Sequence, residues 1–122
     1  MAQLCINSRD EMLIIDLEQV AYVQANGNYS KLMYVSGQHL LISLGLTKIE
    51  ELIRKSVGVS TQSRYVRLGR SLIINQRYLY RISVARQKLM LSDYVSKIHE
   101  LDLPKPILKQ YKEQLSKSIT SK

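Results

Sequence analysis

The sequence predicts a mostly β fold of about ten short strands with two short helices. Three observations predict it. The apolar runs are short and are broken repeatedly by Asn, Gly and Ser. Helical spacing of apolar residues occurs in only two segments, one after Leu44 and one after Pro104. No alternation of strands with helices runs through the chain, so a phospho-acceptor receiver domain is not expected within it.

Each element has a local reason. Leu4 to Ile6 reads as a strand, Asn7-Ser8-Arg9-Asp10 as a turn, and Met12 to Ile15 as the returning strand. Asp16 can cap one helical turn before Val20. Val20 to Ala25 and Tyr29 to Val35 are two strands joined by Asn26-Gly27-Asn28, where Asn-Gly tolerates the positive φ of a tight hairpin. Ser36-Gly37-Gln38 turns the chain into a strand at His39 to Ile42. Thr47-x-x-Glu50 has the form of a capping box. Leu46, Ile49, Leu52 and Ile53 then recur at helical spacing, which predicts a helix over Thr47–Ser56. Gly58 to Ser63 reads as a polar loop. Tyr65 to Leu68 and Leu72 to Ile74 are extended around Gly69-Arg70-Ser71. Ile82 to Ala85 and Lys88 to Leu91 form a hairpin, Ser92-Asp93 a turn, and Tyr94 to Leu101 continues the β region. A last helix follows with Pro106 at its first position. Ile107, Leu108, Tyr111, Leu115 and Ile119 share one face of it, away from Lys109, Lys112 and Lys117.

The length of 122 residues fits one domain, 1–122. One cysteine, Cys5, cannot form an internal disulfide. Neither a signal-peptide pattern nor an apolar run of spanning length is present, so the expected compartment is the cytoplasm and no membrane is expected as partner. The net charge is +8, and its distribution is uneven. Between Leu52 and Ser92 there is no Asp or Glu, while Arg54, Lys55, Arg64, Arg67, Arg70, Arg77, Arg81, Arg86 and Lys88 all fall there. Arginine predominates, and its planar fork suits phosphate oxygens and guanine edges. Such a field favours a polyanion, with an anionic membrane or an acidic protein as the other classes of partner.

Catalytic constellations are not expected. His39 and His99 lie far apart and outside any Cys/His cluster, so neither metal nor cofactor is expected. No phosphate loop and no dinucleotide fingerprint occurs. Ser71 lacks the glycines of a nucleophile elbow. Glu50 and Glu51 diverge on a helix, and Glu50 has the capping role. Eight tyrosines suggest base stacking. Tyr22, Tyr29, Tyr34, Tyr65 and Tyr78 all fall in apolar β runs, which points instead to core or strand-face positions.

Three segments resemble the LytTR family of bacterial transcription regulators. They are Leu17 to Ser30 with its Ala25-Asn26-Gly27-Asn28-Tyr29-Ser30 end, the helix after Leu44, and Tyr65-Val66-Arg67-Leu68-Gly69-Arg70-Ser71-Leu72-Ile73-Ile74-Asn75. The third is the most specific, and the likeness runs from about Leu4 to about Leu115. It implies small antiparallel sheets without a helix-turn-helix, with loops at the sheet edges that enter the major groove. Asn28, Ser30 and Lys31 are then one candidate DNA contact, Arg67 and Arg70 the next, and Lys105, before the last helix, a third. Gly69 stands where the family has His, and Lys105 where it has Arg, which loses the bidentate fork. The plainer alternatives are that Arg67 pairs a carboxylate such as Asp102, that Asn28 and Ser30 only shape the hairpin, and that Lys105 is a solvated charge. For Ile73-Ile74-Asn75 a structural role is expected, with the carboxamide bracing backbone.

The resemblance implies sequence-specific binding of double-stranded DNA in transcriptional control, as in two-component response regulators. The expected site is direct repeats. A second copy of the chain on DNA, and a receiver domain or sensor-kinase pathway upstream, are the further partners to consider. Competing readings are a basic RNA-binding or ribosome-associated β protein and a signalling interaction module.

Overall fold

The computed structural model describes residues 3–61 and 64–119. Ten strands and two helices are found among them, and all strand pairs are antiparallel. The chain divides into two compact units, Met1–Arg77 and Tyr78–Lys122.

In the first unit, β1 (Gln3–Asn7) and β2 (Met12–Asp16) form a two-stranded ribbon. Asp16 accepts a hydrogen bond from the Glu18 amide at 3.1 Å and so starts the single 3-10 turn Leu17–Gln19. Five strands follow: β3 (Val20–Asn26), β4 (Tyr29–Tyr34), β5 (His39–Ile42), β6 (Tyr65–Leu68) and β7 (Leu72–Asn75). They pair in the order β5-β4-β3-β7-β6, with β3 in the centre. A bulge at Ala21 shifts the β3–β4 register between Val20 and Tyr22. Gly27 turns the β3–β4 hairpin at φ +63°, as the Asn-Gly pair predicts.

Helix α1 (Leu46–Thr61) lays Leu46, Ile49 and Ile53 into the same apolar cluster as Val20 and Val23 of β3, Leu32 of β4, Ile42 of β5 and Ile73 of β7. Those spacings of three and four residues are the buried stripe of a surface helix. The helix differs from the prediction in two ways. It runs on through Thr61 where a polar loop from Gly58 was expected, while Gln62 and Ser63 lie outside the described residues. It also starts one residue early: the Ile49 amide bonds the Gly45 carbonyl at 3.1 Å, which puts Thr47 inside the first turn rather than at its cap. The capping box is therefore not formed, and Thr47 and Glu50 serve another group, described below.

The second unit is a meander of β8 (Leu79–Ser83), β9 (Lys88–Ser92) and β10 (Ile98–Asp102), with β9 central, followed by α2 (Lys105–Ser118). Leu89, Met90, Leu91 and Ser92 of β9 are all buried, while Leu108 and Tyr111 carry the buried side of α2. The expected β run from Tyr94 begins only at Ile98, because Asp93 gathers the chain into a loop. Its carboxylate accepts from the amides of Val95, Ser96 and Lys97 at 2.9–3.0 Å. These bonds hold its carboxyl below the usual carboxylate range. Pro104 rather than Pro106 flanks the start of α2, and Pro106 falls one position further into its first turn, where the missing N–H is equally harmless.

Asn75 behaves as the sequence predicts. It is 1% exposed, its amide nitrogen donates to the Val20 carbonyl at 2.9 Å, and its side-chain oxygen accepts from the Arg77 amide at 3.1 Å. Asn75→Ala strips a donor from the buried Val20 carbonyl and an acceptor from the part-buried Arg77 amide. Loss of about 1–3 kcal/mol of stability is expected, measured by urea unfolding.

Candidate nucleic-acid interface

Antiparallel pairing decides which loops become neighbours. The register of β3 with β7 sets Gln24 opposite Leu72, so the end of β3 meets the start of β7. The Ala25 amide extends this ladder to the Ser71 carbonyl at 2.8 Å. In consequence the β3–β4 hairpin at Gly27-Asn28 and the β6–β7 turn at Gly69-Arg70-Ser71 lie at one end of the sheet. The start of α1 comes to the same end, because the Ser30 hydroxyl donates to the Leu44 carbonyl at 2.7 Å.

The six expected contact residues differ in what they offer. Asn28 and its neighbour Tyr29 are exposed at the hairpin, and Lys31 is half-buried on β4. Tyr29, expected on a strand face, is 51% exposed, because it stands where the strand leaves the hairpin tip. Ser30 is fully buried and its hydroxyl is committed to Leu44, so it shapes the loop from within and presents no group to a ligand. Arg70 is exposed, and its guanidinium has no partner among the described residues. Gly69 supplies the φ of +70° that lets the turn close beneath it.

Arg67 is held on three sides. Its Nη1 donates to Glu50 Oε1 at 3.0 Å and to Thr47 Oγ1 at 3.2 Å, and its Nη2 donates to the Arg70 carbonyl at 2.9 Å. Glu50 also faces Arg54 at 3.5 Å. The carboxylate expected for Arg67, Asp102, instead pairs with Lys88. No sequence signal joined Glu50 to Arg67, since seventeen residues separate them.

In the second unit Lys105 is exposed at the first turn of α2, without a partner among the described residues. It lines an open groove with Val84, Pro106, Lys109, Lys112 and Glu113. Lys105, Lys109 and Lys112 follow one another at helical spacing along one side of α2.

The acid-free stretch is not all available charge. Arg54 and Arg67 pair with Glu50, Arg64 with Glu18 at 3.6 Å, and Lys88 with Asp102, all carboxylates from outside the stretch. Among the described residues, no three His, Cys, Asp or Glu gather as metal ligands, and no helix is long and apolar enough to cross a membrane.

The loops at this sheet end thus present the exposed Asn28 and, unpaired among the described residues, the Arg70 guanidinium. The chain belongs to the LytTr DNA-binding domain family, whose model matches residues 10–116. Among solved structures, it is similar to the LytTr DNA-binding domain of a methyl-accepting/DNA response regulator from Bacillus cereus. That match has a TM-score of 0.62 and 14% identity, and covers 95% of this chain and 98% of the other. No curated protein matches the chain. This is therefore a DNA-binding domain of transcription regulation.

Ser30→Ala should lower stability by about 1 kcal/mol through the lost Leu44 bond, which thermal melts check.

Proposed function

We propose that the domain binds double-stranded DNA sequence-specifically, and that the Gly27-Asn28 hairpin and the Gly69–Ser71 turn enter the major groove together. The observation that carries this is the Ala25–Ser71 hydrogen bond, which unites the two loops at one sheet end. The β3–β4 and β7–β6 pairs are centred two strand spacings apart, about 10 Å. A major groove admits a two-stranded ribbon, so two hairpin ends at that separation can follow one another along it. Asn28 offers a carboxamide, which pairs best with adenine, and Arg70 a free fork, which pairs best with guanine. Lys31 lies behind them on β4 and suits a phosphate. Arg67 acts from within the sheet end, with its donors spent on Thr47, Glu50 and Arg70, and so holds the turn that carries Arg70.

Lys105 supplies a contact from the second unit, continued along α2 by Lys109 and Lys112. The family match crosses both units, which supports their action as one module over 1–122. The likeness to a DNA response-regulator domain of Bacillus cereus supports a response-regulator context for the chain; action in the cytoplasm and two copies on direct repeats extend the proposal.

Competition between duplex DNA and structured RNA at fixed salt tests the partner class, and preference for the RNA would overturn the reading. With contact to about 4–6 phosphates, log affinity should fall against log salt with a slope near −4 to −5. Lys105→Ala should shallow that slope by about 1 and weaken all duplexes alike.

Arg70→Ala should cost about 1–3 kcal/mol, roughly 5- to 150-fold, on the preferred duplex and little on random DNA. Its melting temperature should hardly move, because an exposed, unpaired arginine changes stability by about 0.5 kcal/mol or less. An early-melting variant that keeps its sequence preference would make Arg70 scaffolding instead of a reader.

A further inference from the structure

We propose that Glu50, an acidic residue on α1, determines DNA sequence discrimination by positioning the turn that carries Arg70. The inference rests on the reading of Arg70 given above and adds a residue that touches no DNA.

A guanidinium is planar and rigid, so fixing one nitrogen fixes the direction of the other. Glu50 Oε1 and Thr47 Oγ1, three residues apart on α1, hold Arg67 Nη1 between them at 3.0 and 3.2 Å. That grip aims Nη2 at the Arg70 carbonyl, which it meets at 2.9 Å. The next carbonyl, that of Ser71, is held from the other side by the Ala25 amide at 2.8 Å. Two successive peptide groups of the turn are thus pinned, one to α1 through Arg67 and one to β3. Both lie directly after the Arg70 α-carbon, whose side chain stays exposed and unpaired among the described residues. A long, flexible side chain can read a base edge only if its backbone is held still. The relay from Glu50 through Arg67 provides one of the two holds.

Glu50 is well placed to do this. Its side chain is 31% exposed and that of Arg67 is 24% exposed, so the pair is partly shielded from water and salt. The second contact, with Arg54 at 3.5 Å, engages the other carboxylate oxygen and leaves Oε1 to Arg67.

Simple electrostatics and positioning predict opposite outcomes. A carboxylate beside a DNA-facing edge repels phosphate, so its loss by charge alone should tighten binding to every duplex. Loss of a positioning group should instead reduce the ratio of affinities for preferred and scrambled duplexes. Glu50→Ala removes charge and acceptor together, and alanine keeps the helix favourable. Glu50→Gln removes the charge but keeps an oxygen where Arg67 can donate. The probes are a duplex enriched by selection from a random pool and its scrambled counterpart.

Glu50→Ala is expected to lower the discrimination ratio by at least about twofold, as for residues that share one hydrogen-bonded network. Glu50→Gln is expected to retain most of the ratio. In an Arg70→Ala background, Glu50→Ala should change the ratio no further. In the free protein, Glu50→Ala should shift the amide resonances of Gly69, Arg70 and Ser71, a readout that needs no DNA. Equal ratios for the Ala and Gln variants would overturn the proposal. So would an effect of Glu50→Ala that persists without Arg70, or unmoved turn resonances. If Arg70→Ala alone leaves discrimination intact, the reading of Arg70 fails by its own measurement and the positioning role falls with it.

Discussion

Central strand β3 is the constraint on which the first unit depends. Val20, Ala21, Tyr22 and Val23 are all withdrawn from water, and β3 has partners on both edges, β4 and β7. A strand in that position cannot slip. A shift of one residue would turn Val20 and Val23 away from the cluster that holds Ile49, Ile53 and Ile73. The register of β3 with β7 is what brings Gln24 to Leu72 and Ala25 to Ser71, and so sets two loops from distant parts of the sequence beside each other. Burial in the interior thereby fixes geometry at the surface. The site inherits its rigidity from apolar packing, and the polar residues at the sheet end only refine it.

Charge follows a related logic. Nine cations fall in a stretch without a single carboxylate, yet folding returns carboxylates to four of them from elsewhere in the chain. Exposed pairs of this kind contribute little stability, about 0–1 kcal/mol each. Their larger effect is selection. Arg67 is withdrawn from the surface and Arg70, three residues on, is left free, although the two look equivalent in sequence. Electrostatic attraction to DNA is set by total charge, but specificity depends on which few forks stay unpaired and held in place.

Much of the fold was legible in the sequence for physical reasons. The strands show as short apolar runs closed by Asn, Gly and Ser, and turns such as Gly27 and Gly69 occupy the positive φ that glycine tolerates. Asn75 was legible because a carboxamide that directly follows two buried isoleucines must satisfy itself on backbone. What escaped the reading was non-local. Thr47 and Glu50 have the spacing of a capping box, and nothing local distinguishes a pair that caps its own helix from one that grips an arginine twenty residues away. The same applies to Ser30, whose hydroxyl bonds a carbonyl fourteen residues on and lies buried, although it stands in a hairpin that otherwise faces outward. After β9, Tyr94 and Val95 favour β structure. Three amides drawn to Asp93 outweigh that preference.

The misread pair carries the more general lesson. A local motif identifies residues with hydrogen-bonding capacity at a useful spacing, and the fold then decides where that capacity is spent. First-turn amides of a helix can be satisfied by solvent, without help from side chains such as those of Thr47 or Glu50. A guanidinium beneath the sheet end is harder to satisfy, because it needs acceptors fixed in one plane. Two oxygens on α1, three residues apart, meet that need, since neighbours at this spacing lie on one side of a helix. The competition is thus settled in favour of the group with the fewest alternatives. The outcome ties α1 to the turn that carries Arg70.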